Sequence, residues 1–142
     1  ERGFIQGAEM GLDLSLNPNW NLSGNMTYTY GQNKTSDEPA RRIPPLFGRL
    51  ATSYTIKNWN LNADWLLAGK QDRLASGDVD DNRIPDGGTP GWNVLNIHGS
   101  YSINYITIAV GLQNIFNEDY RYHGSGVNGY GRSGVLSVSA SL

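Results

Sequence analysis

The stretch Trp59-Asn60-Leu61-Asn62-Ala63-Asp64-Trp65-Leu66-Leu67 decides the fold. Trp59, Leu61, Ala63, Trp65 and Leu67 share one parity, and Asn60, Asn62 and Asp64 take the other. A repeat of two sends successive side chains to opposite faces of a strand, one apolar and one polar. The same alternation recurs on both sides. Upstream, Ala8, Met10, Leu12, Leu14 and Leu16 alternate with Glu9, Gly11, Asp13 and Ser15, and Trp20, Leu22, Met26, Tyr28 and Tyr30 with Asn21, Ser23, Asn25, Thr27 and Thr29. Leu46, Leu50, Tyr54 and Ile56 then oppose Arg49, Ser53 and Thr55. Downstream, Leu95, Ile97, Tyr101 and Ile103 oppose Asn96, His98, Ser100 and Ser102. Ile106, Ile108, Val110 and Leu112 oppose Thr107, Ala109, Gly111 and Gln113, and Leu136, Val138, Ala140 and Leu142 oppose Ser137, Ser139 and Ser141. The pattern predicts an all-β, antiparallel up-and-down meander of seven strands.

Composition agrees. The chain has 142 residues, within the usual domain size, and 18 are Gly. Only four Glu and three Lys occur, so the best surface helix formers are nearly missing. There are 11 Lys+Arg against 13 Asp+Glu, a net charge of −2, and nucleic acid is excluded as a partner because no basic cluster exists to displace its counterions. Cysteine is absent, which removes disulfides, thiolate metal sites and Cys nucleophiles. No basic start with an apolar core follows Glu1, and no apolar run approaches the roughly 18 residues of a membrane helix.

Strands cross membranes by another rule. Each predicted strand is near the ~9–11 residues that span a bilayer at a tilt. Asn17-Pro18-Asn19, Lys57-Asn58 and Ser102–Asn104 are tight turns, whereas 31–45, 70–92 and 117–131 are long. Short turns at one end and long loops at the other fit the periplasmic and extracellular ends of an outer-membrane barrel. Trp20, Tyr54, Trp59 and Tyr101 lie beside the short turns and Tyr28, Tyr30, Trp65 and Trp92 toward the long loops, as two aromatic belts would. The polar face then turns inward, with Asp13, Asn25, Asn62, Asp64, His98 and Gln113 facing the lumen or a plug.

An open sheet cannot stand in hydrocarbon, because each bare backbone group costs several kcal/mol. Seven strands therefore predict a portion of a larger barrel. The alternative is a small barrel or sheet, completed by oligomerisation or folded in water, acting as a binding or structural protein.

The closing stretch GLQNIFNEDYRYHGSGVNGYGRSGVLSVSASL, Gly111 to Leu142, resembles the C-terminal region of the TonB-dependent outer-membrane receptors. The resemblance rests on Asn114-Ile115-Phe116, the acidic pair after it, Tyr120-Arg121, a Gly-rich loop, Gly131-Arg132 and the alternating last strand. Arg42-Ile43-Pro44-Pro45 and Asp80 to Trp92 (DDNRIPDGGTPGW) support it. It implies that residues 1–142 are the C-terminal part of a barrel of about 22 strands with a plugged lumen. It further implies uptake, at a Gram-negative outer membrane, of a scarce ligand such as a metal-siderophore complex, a cobalamin-type cofactor or an oligosaccharide. The implied partners are the protein's own plug and upstream strands, the TonB complex reached through an N-terminal part outside this sequence, and outer-membrane lipid and lipopolysaccharide. The barrel-assembly machinery would read the last strand, which ends in Leu142 where the family usually has Phe.

The long loops supply the ligand candidates Arg41, Arg42, Arg83, Tyr120, Tyr122, His123 and Arg132, the arginines suiting an anionic siderophore or charged saccharides. Asp78, Asp80 and Asp81, with Asp86 and several glycines nearby, are oxygen donors of the kind Ca²⁺ takes, but the EF-hand spacing is missing and Arg73 and Arg83 are placed to balance them. Gly124-Ser125-Gly126-Val127-Asn128-Gly129 matches GxGxxG, yet a strand follows where a dinucleotide site needs a helix, so a tight loop is expected. No GxSxG elbow, His pair or convergent carboxylates point to an enzyme, and no cofactor is implied.

Overall fold

A computed structural model describes residues 2–141. The register expected of Leu142 lies outside the described residues. Seven long strands form one antiparallel sheet: β1 (Gly3–Asn17), β2 (Trp20–Asn33), β4 (Phe47–Ile56), β5 (Trp59–Ala68), β6 (Trp92–Ile103), β7 (Ile106–Gln113) and β8 (Ser133–Ala140). A two-residue strand, β3 (Glu38–Pro39), pairs with β2 at its far end, and the order is otherwise sequential. The single helix among the described residues, α1 (Ser76–Val79), is one turn inside the second long loop.

Strand registry carries the two faces across the whole sheet. Leu12, Gly24, Leu50, Trp65 and Leu95 stand side by side in five successive strands. A lower row runs Trp20, Tyr54, Leu61, Gly99, Val110 and Leu136. On the opposite face Asp13, Ser23, Ala51, Asp64 and Asn96 form one row, and Asn21, Ser53, Asn62, His98 and Gly111 another. The turns Pro18-Asn19, Lys57-Asn58 and Asn104-Tyr105 are two residues each, and Lys57 and Asn104 adopt positive φ, as tight hairpins require.

Several strands run further toward the long loops than the alternation suggests. β1 and β2 continue above Ala8 and Tyr30 through the pairs Ile5–Gly31, Phe4–Gln32 and Gly3–Asn33. Gln6 and Gln32 hold apolar-parity positions there, which ends the hydrophobic signal while the backbone ladder goes on. Likewise β6 opens at Trp92, not Leu95, and β8 at Ser133, not Leu136.

Beside the short turns the aromatic residues meet in pairs. Trp20 and Tyr54 meet edge to face at 6.4 Å, and Trp59 and Tyr101 lie 4.7 Å apart. The indole N–H of Trp20 donates to Thr52 Oγ1, which donates on to the Asn21 carbonyl, so the Trp20 and Thr52 polar groups on this apolar face are satisfied. Trp92 is the correction. It shares the parity of Val94, Asn96 and His98, lies on the polar face and is buried, so it belongs to no outer belt.

A domain in water normally buries one sheet face against a second layer. Here the buried apolar residues among those described are Ile43, Ala75, Ile84, Trp92 and Val94, all within or beneath the long loops. The apolar face has no cover, and Val110 in mid-strand is 49% exposed. If that face meets lipid, Val110→Arg should cost roughly 2–4 kcal/mol in a bilayer refolding titration of the whole barrel-forming protein. Gln113→Ala, on the polar face, should cost much less. Equal costs would contradict the assignment of the faces.

Candidate ligand site beneath the long loops

The polar face ends upward in a row that is not polar. Thr27, Phe47, Ala68 and Trp92 are neighbours across β2, β4, β5 and β6. Over them fold Pro44 and Pro45 from the first long loop (residues 34–46) and Tyr122 and His123 from the third (114–132). Trp92 sits 4.7 Å from the Tyr120 ring and 5.0 Å from that of Tyr122, with Phe47 at 6.1 Å from both Trp92 and Tyr122. The Trp92 indole donates to the Arg121 carbonyl at 3.0 Å, which fixes the third loop over the row. Gly129 lies against the Tyr120 ring, where a Cβ would fall 2.0 Å from it. The GxGxxG stretch thus serves packing: no helix follows it, and its last glycine is the seat of an aromatic ring.

Side chains tie the three loops into one unit. Gln71, buried, donates its amide to the Ile43 carbonyl at 2.7 Å, and its backbone pairs with Thr89 in a two-bond bridge. Thr89 Oγ1 meets His123 Nδ1 at 2.9 Å. The buried Asp78 carboxylate accepts the Arg42 backbone N–H at 3.1 and 3.2 Å and faces the Arg41 guanidinium at 3.6 Å. Arg41 also reaches the Gly77 carbonyl. Asp81 accepts from Arg83 Nε and Nη2 at 2.8 and 2.6 Å and from Arg42 at 3.2 Å. The Arg83 side chain, above all, holds that carboxyl well below the usual carboxylate range.

The expected site residues therefore divide. Arg41, Arg42 and Arg83 come together, but onto the acids Asp78 and Asp81, whose negative charge they offset. Asp80 stands apart as the C-cap of α1. Among the described residues no three acidic or imidazole groups converge as cation ligands. Tyr120, Tyr122 and His123 gather around Trp92. Arg132 is exposed and separate, its backbone N–H bonded to Asn117 Oδ1. Asp13, Asn25, Asn62, Asp64, His98 and Gln113 all lie on the polar face. Asp64 there pairs with Arg49, Nε to Oδ1 at 2.8 Å, and Gln113 accepts from Ser133. His98 lies against Gly111, where a Cβ would approach its ring to 2.8 Å.

His123 is electrostatically distinct. Burial holds its imidazole below the ordinary range, against the opposing pull of the Asp78 and Asp81 carboxylates. Its Nε2 is buried with no hydrogen-bond partner.

Phe47, Gln71, Thr89 and the inward Trp92 are additions that sequence reasoning missed. Trp92 was readable, since counting back from Leu95 gives it the polar parity. Gln71 and Thr89 left no local signal. Asn114 is the more informative case. At φ +48° and 2% exposed, it donates to the Glu118 and Tyr130 carbonyls and accepts the Glu118 N–H, each at 2.8 Å. Asn96 Oδ1 in turn accepts the Asn114 N–H. The tripeptide after β7 is therefore the hinge that closes the third loop.

A one-layer sheet with an uncovered apolar face, a polar face and all long loops at one end is the wall of a transmembrane β-barrel. The chain belongs to the TonB dependent receptor-like, beta-barrel family, whose model matches residues 2–115. Among solved structures it is similar to the copper transporter OprC, with a TM-score of 0.83 and 25% sequence identity over 99% of this chain and 24% of that one. The chain thus spans about a quarter of that transporter's length. No curated protein sequence matches it.

Asn114→Ala removes the three hydrogen bonds that join its side chain to the Glu118 and Tyr130 backbone, at roughly 0.5–1.5 kcal/mol each. Hydrogen exchange should speed up across 115–131 while β6 and β7 stay protected. Unchanged exchange in that loop would contradict the hinge role.

Proposed function

We propose that residues 1–142 form the C-terminal part of the barrel of a TonB-dependent receptor in a Gram-negative outer membrane. The receptor captures a scarce ligand at its long loops and passes it through a plug-gated lumen, with no covalent chemistry. The uncovered apolar face, continuous across seven strands, carries this reading, since lipid is the solvent that removes its cost. The free edges of β1 and β8 call for neighbouring strands, because closure alone satisfies their backbone groups in hydrocarbon. About 22 strands would complete such a barrel.

In this reading Asp13, Asn25, Asn62, Asp64, His98 and Gln113 face the plug or line the path. The outer face meets lipid, the loop rim meets lipopolysaccharide, and β8 is read by the assembly machinery. Energy coupling to TonB belongs to parts of the receptor outside this sequence. The ligand class remains a metal-siderophore complex, a cobalamin-type cofactor or an oligosaccharide. Copper is the cargo in the name of the solved relative, and this segment offers it no soft ligand set. Met10 and Met26, the two methionines, are paired on the apolar face, and His98 and His123 lie on separate elements. Arg41, Arg42 and Arg83 act with Asp78 and Asp81 to brace the rim that holds Tyr120, Tyr122 and His123.

The test is an immunoblot of fractionated envelope with antibody against the 70–92 loop. A large, heat-modifiable band in the outer membrane is expected. A band near 15.6 kDa would mean that the chain stands alone and would overturn the transport reading.

A further inference from the structure

Residues 122–125 form a tight turn at the tip of the third loop. The Ser125 N–H donates to the Tyr122 carbonyl at 2.9 Å, and Gly124 takes φ +74°, a value that turns with a left-handed third residue require. His123 is the corner before that glycine, and the turn sets its imidazole between the wall and the second loop. Nδ1 meets Thr89 Oγ1 at 2.9 Å, and Thr89, 2% exposed, is itself tied to Gln71 through its backbone. Among the described residues this is the one hydrogen bond that joins the second loop to the third.

The seat suits only one charge state. Neutral imidazole, in either tautomer, is partnered at Nδ1 and leaves one uncharged site unmet at Nε2. Imidazolium carries an N–H on both nitrogens, and its second would lie at the buried, unpartnered Nε2, where a charged donor is costly. The surroundings do not offset that cost. Thr27, Phe47, Ala68 and Trp92 from the wall and Pro44 and Pro45 from the first loop are uncharged. Burial, and after it the neighbouring Tyr120, push the Tyr122 hydroxyl up, so it stays protonated. Asp119 and Arg121 of the third loop are both engaged with Asn128. Asp78 and Asp81 of the second loop attract a proton to His123, but Asp78 faces Arg41 and Asp81 is held by Arg83 and Arg42. Burial outweighs their pull.

We infer that His123 is an acid-released latch between the second and third loops: neutral, it stays seated against Thr89, and on protonation the 122–125 turn leaves the wall. Linkage fixes the direction. A released imidazole in water takes its proton near the ordinary value of about 6.5, and the seated one only at lower pH. The seated state is therefore at full strength above that value. Below it the ratio of seated to released falls by up to about tenfold per pH unit, until the seated imidazole titrates as well. Release carries Tyr122 away with His123 and uncovers Phe47 and Trp92 at the top of the wall. The latch does not depend on which ligand the loops capture.

The test is hydrogen exchange on the full receptor in detergent at pH 7.5 and 5.0, with each rate compared to that of the unfolded peptide at the same pH. Protection across 121–129, which includes the bonded amides of Ser125 and Gly129, should fall several-fold between the two, and at most about thirtyfold. β6 and β7 should keep theirs. His123→Gln offers Thr89 a polar group but cannot take the proton, so its protection should be equal at both pH values. His98, the other histidine of the chain, remains in that variant and serves as the control. Equal protection of the parent at the two pH values would overturn the inference. So would an equal fall in parent and variant, which would assign the response to another group. Should His123→Gln fail to fold, judged by lost heat-modifiability, His123→Phe takes its place, with the same two contrary outcomes.

Discussion

Every backbone N–H and C=O in a membrane-spanning sheet must be paired within the protein, and the architecture follows from that obligation. Antiparallel neighbours flank β2, β4, β5, β6 and β7 on both sides, while β1 and β8 each keep a free edge. A single sheet so built has two faces and no second layer. One face must then be apolar and the other polar if lipid lies outside and water or protein inside. The registry meets this demand without exchange of faces from β1 to β8, because a slip of one residue would put Asp64 and Arg49 beside Leu50 and Trp65.

The loops depend on the wall in turn. Their small core stands on Trp92 and Val94, the two inward residues at the top of β6. Gln71, Thr89 and His123 link the first, second and third loops in series, and Asp78 holds the first to the second by backbone and guanidinium together. Most of these bonds are short-range in space and far apart in sequence. The rim is therefore one cross-linked surface rather than three independent arms.

Much of this was legible in the sequence, and the parts that were not share a cause. Alternation along Trp59–Leu67 or Ile106–Gln113 is local, so the strands, their faces and the two-residue turns can be counted out residue by residue. The resemblance of the closing stretch pointed to the family to which the chain belongs, although the functional weight of Asn114 showed only in its hydrogen bonds. Strand limits at Gly3, Asn33 and Trp92 were hidden because the backbone ladder outlasts the hydrophobic signal. The arginine assignments illustrate the other limit. Arg41 and Arg42 look like free cations in a row of letters, and their pairing with Asp78 and Asp81 depends on chain contacts some 40 residues apart, whereas Arg83 meets Asp81 two residues away, where the sequence already set it to balance the acids. Long-range partners leave no period to read.

The central claim is that one face of this sheet meets lipid. The chain contains no cysteine, so single Cys substitutions from Ile106 to Gln113, in a receptor with any cysteine outside this segment replaced, give clean spin-label sites after reconstitution in bilayers. Accessibility to oxygen, which concentrates in hydrocarbon, is predicted to alternate with a period of two, high at 106, 108, 110 and 112 and low at 107, 109, 111 and 113. A flat profile, or high accessibility of all eight sites to a water-soluble relaxation agent, would contradict it.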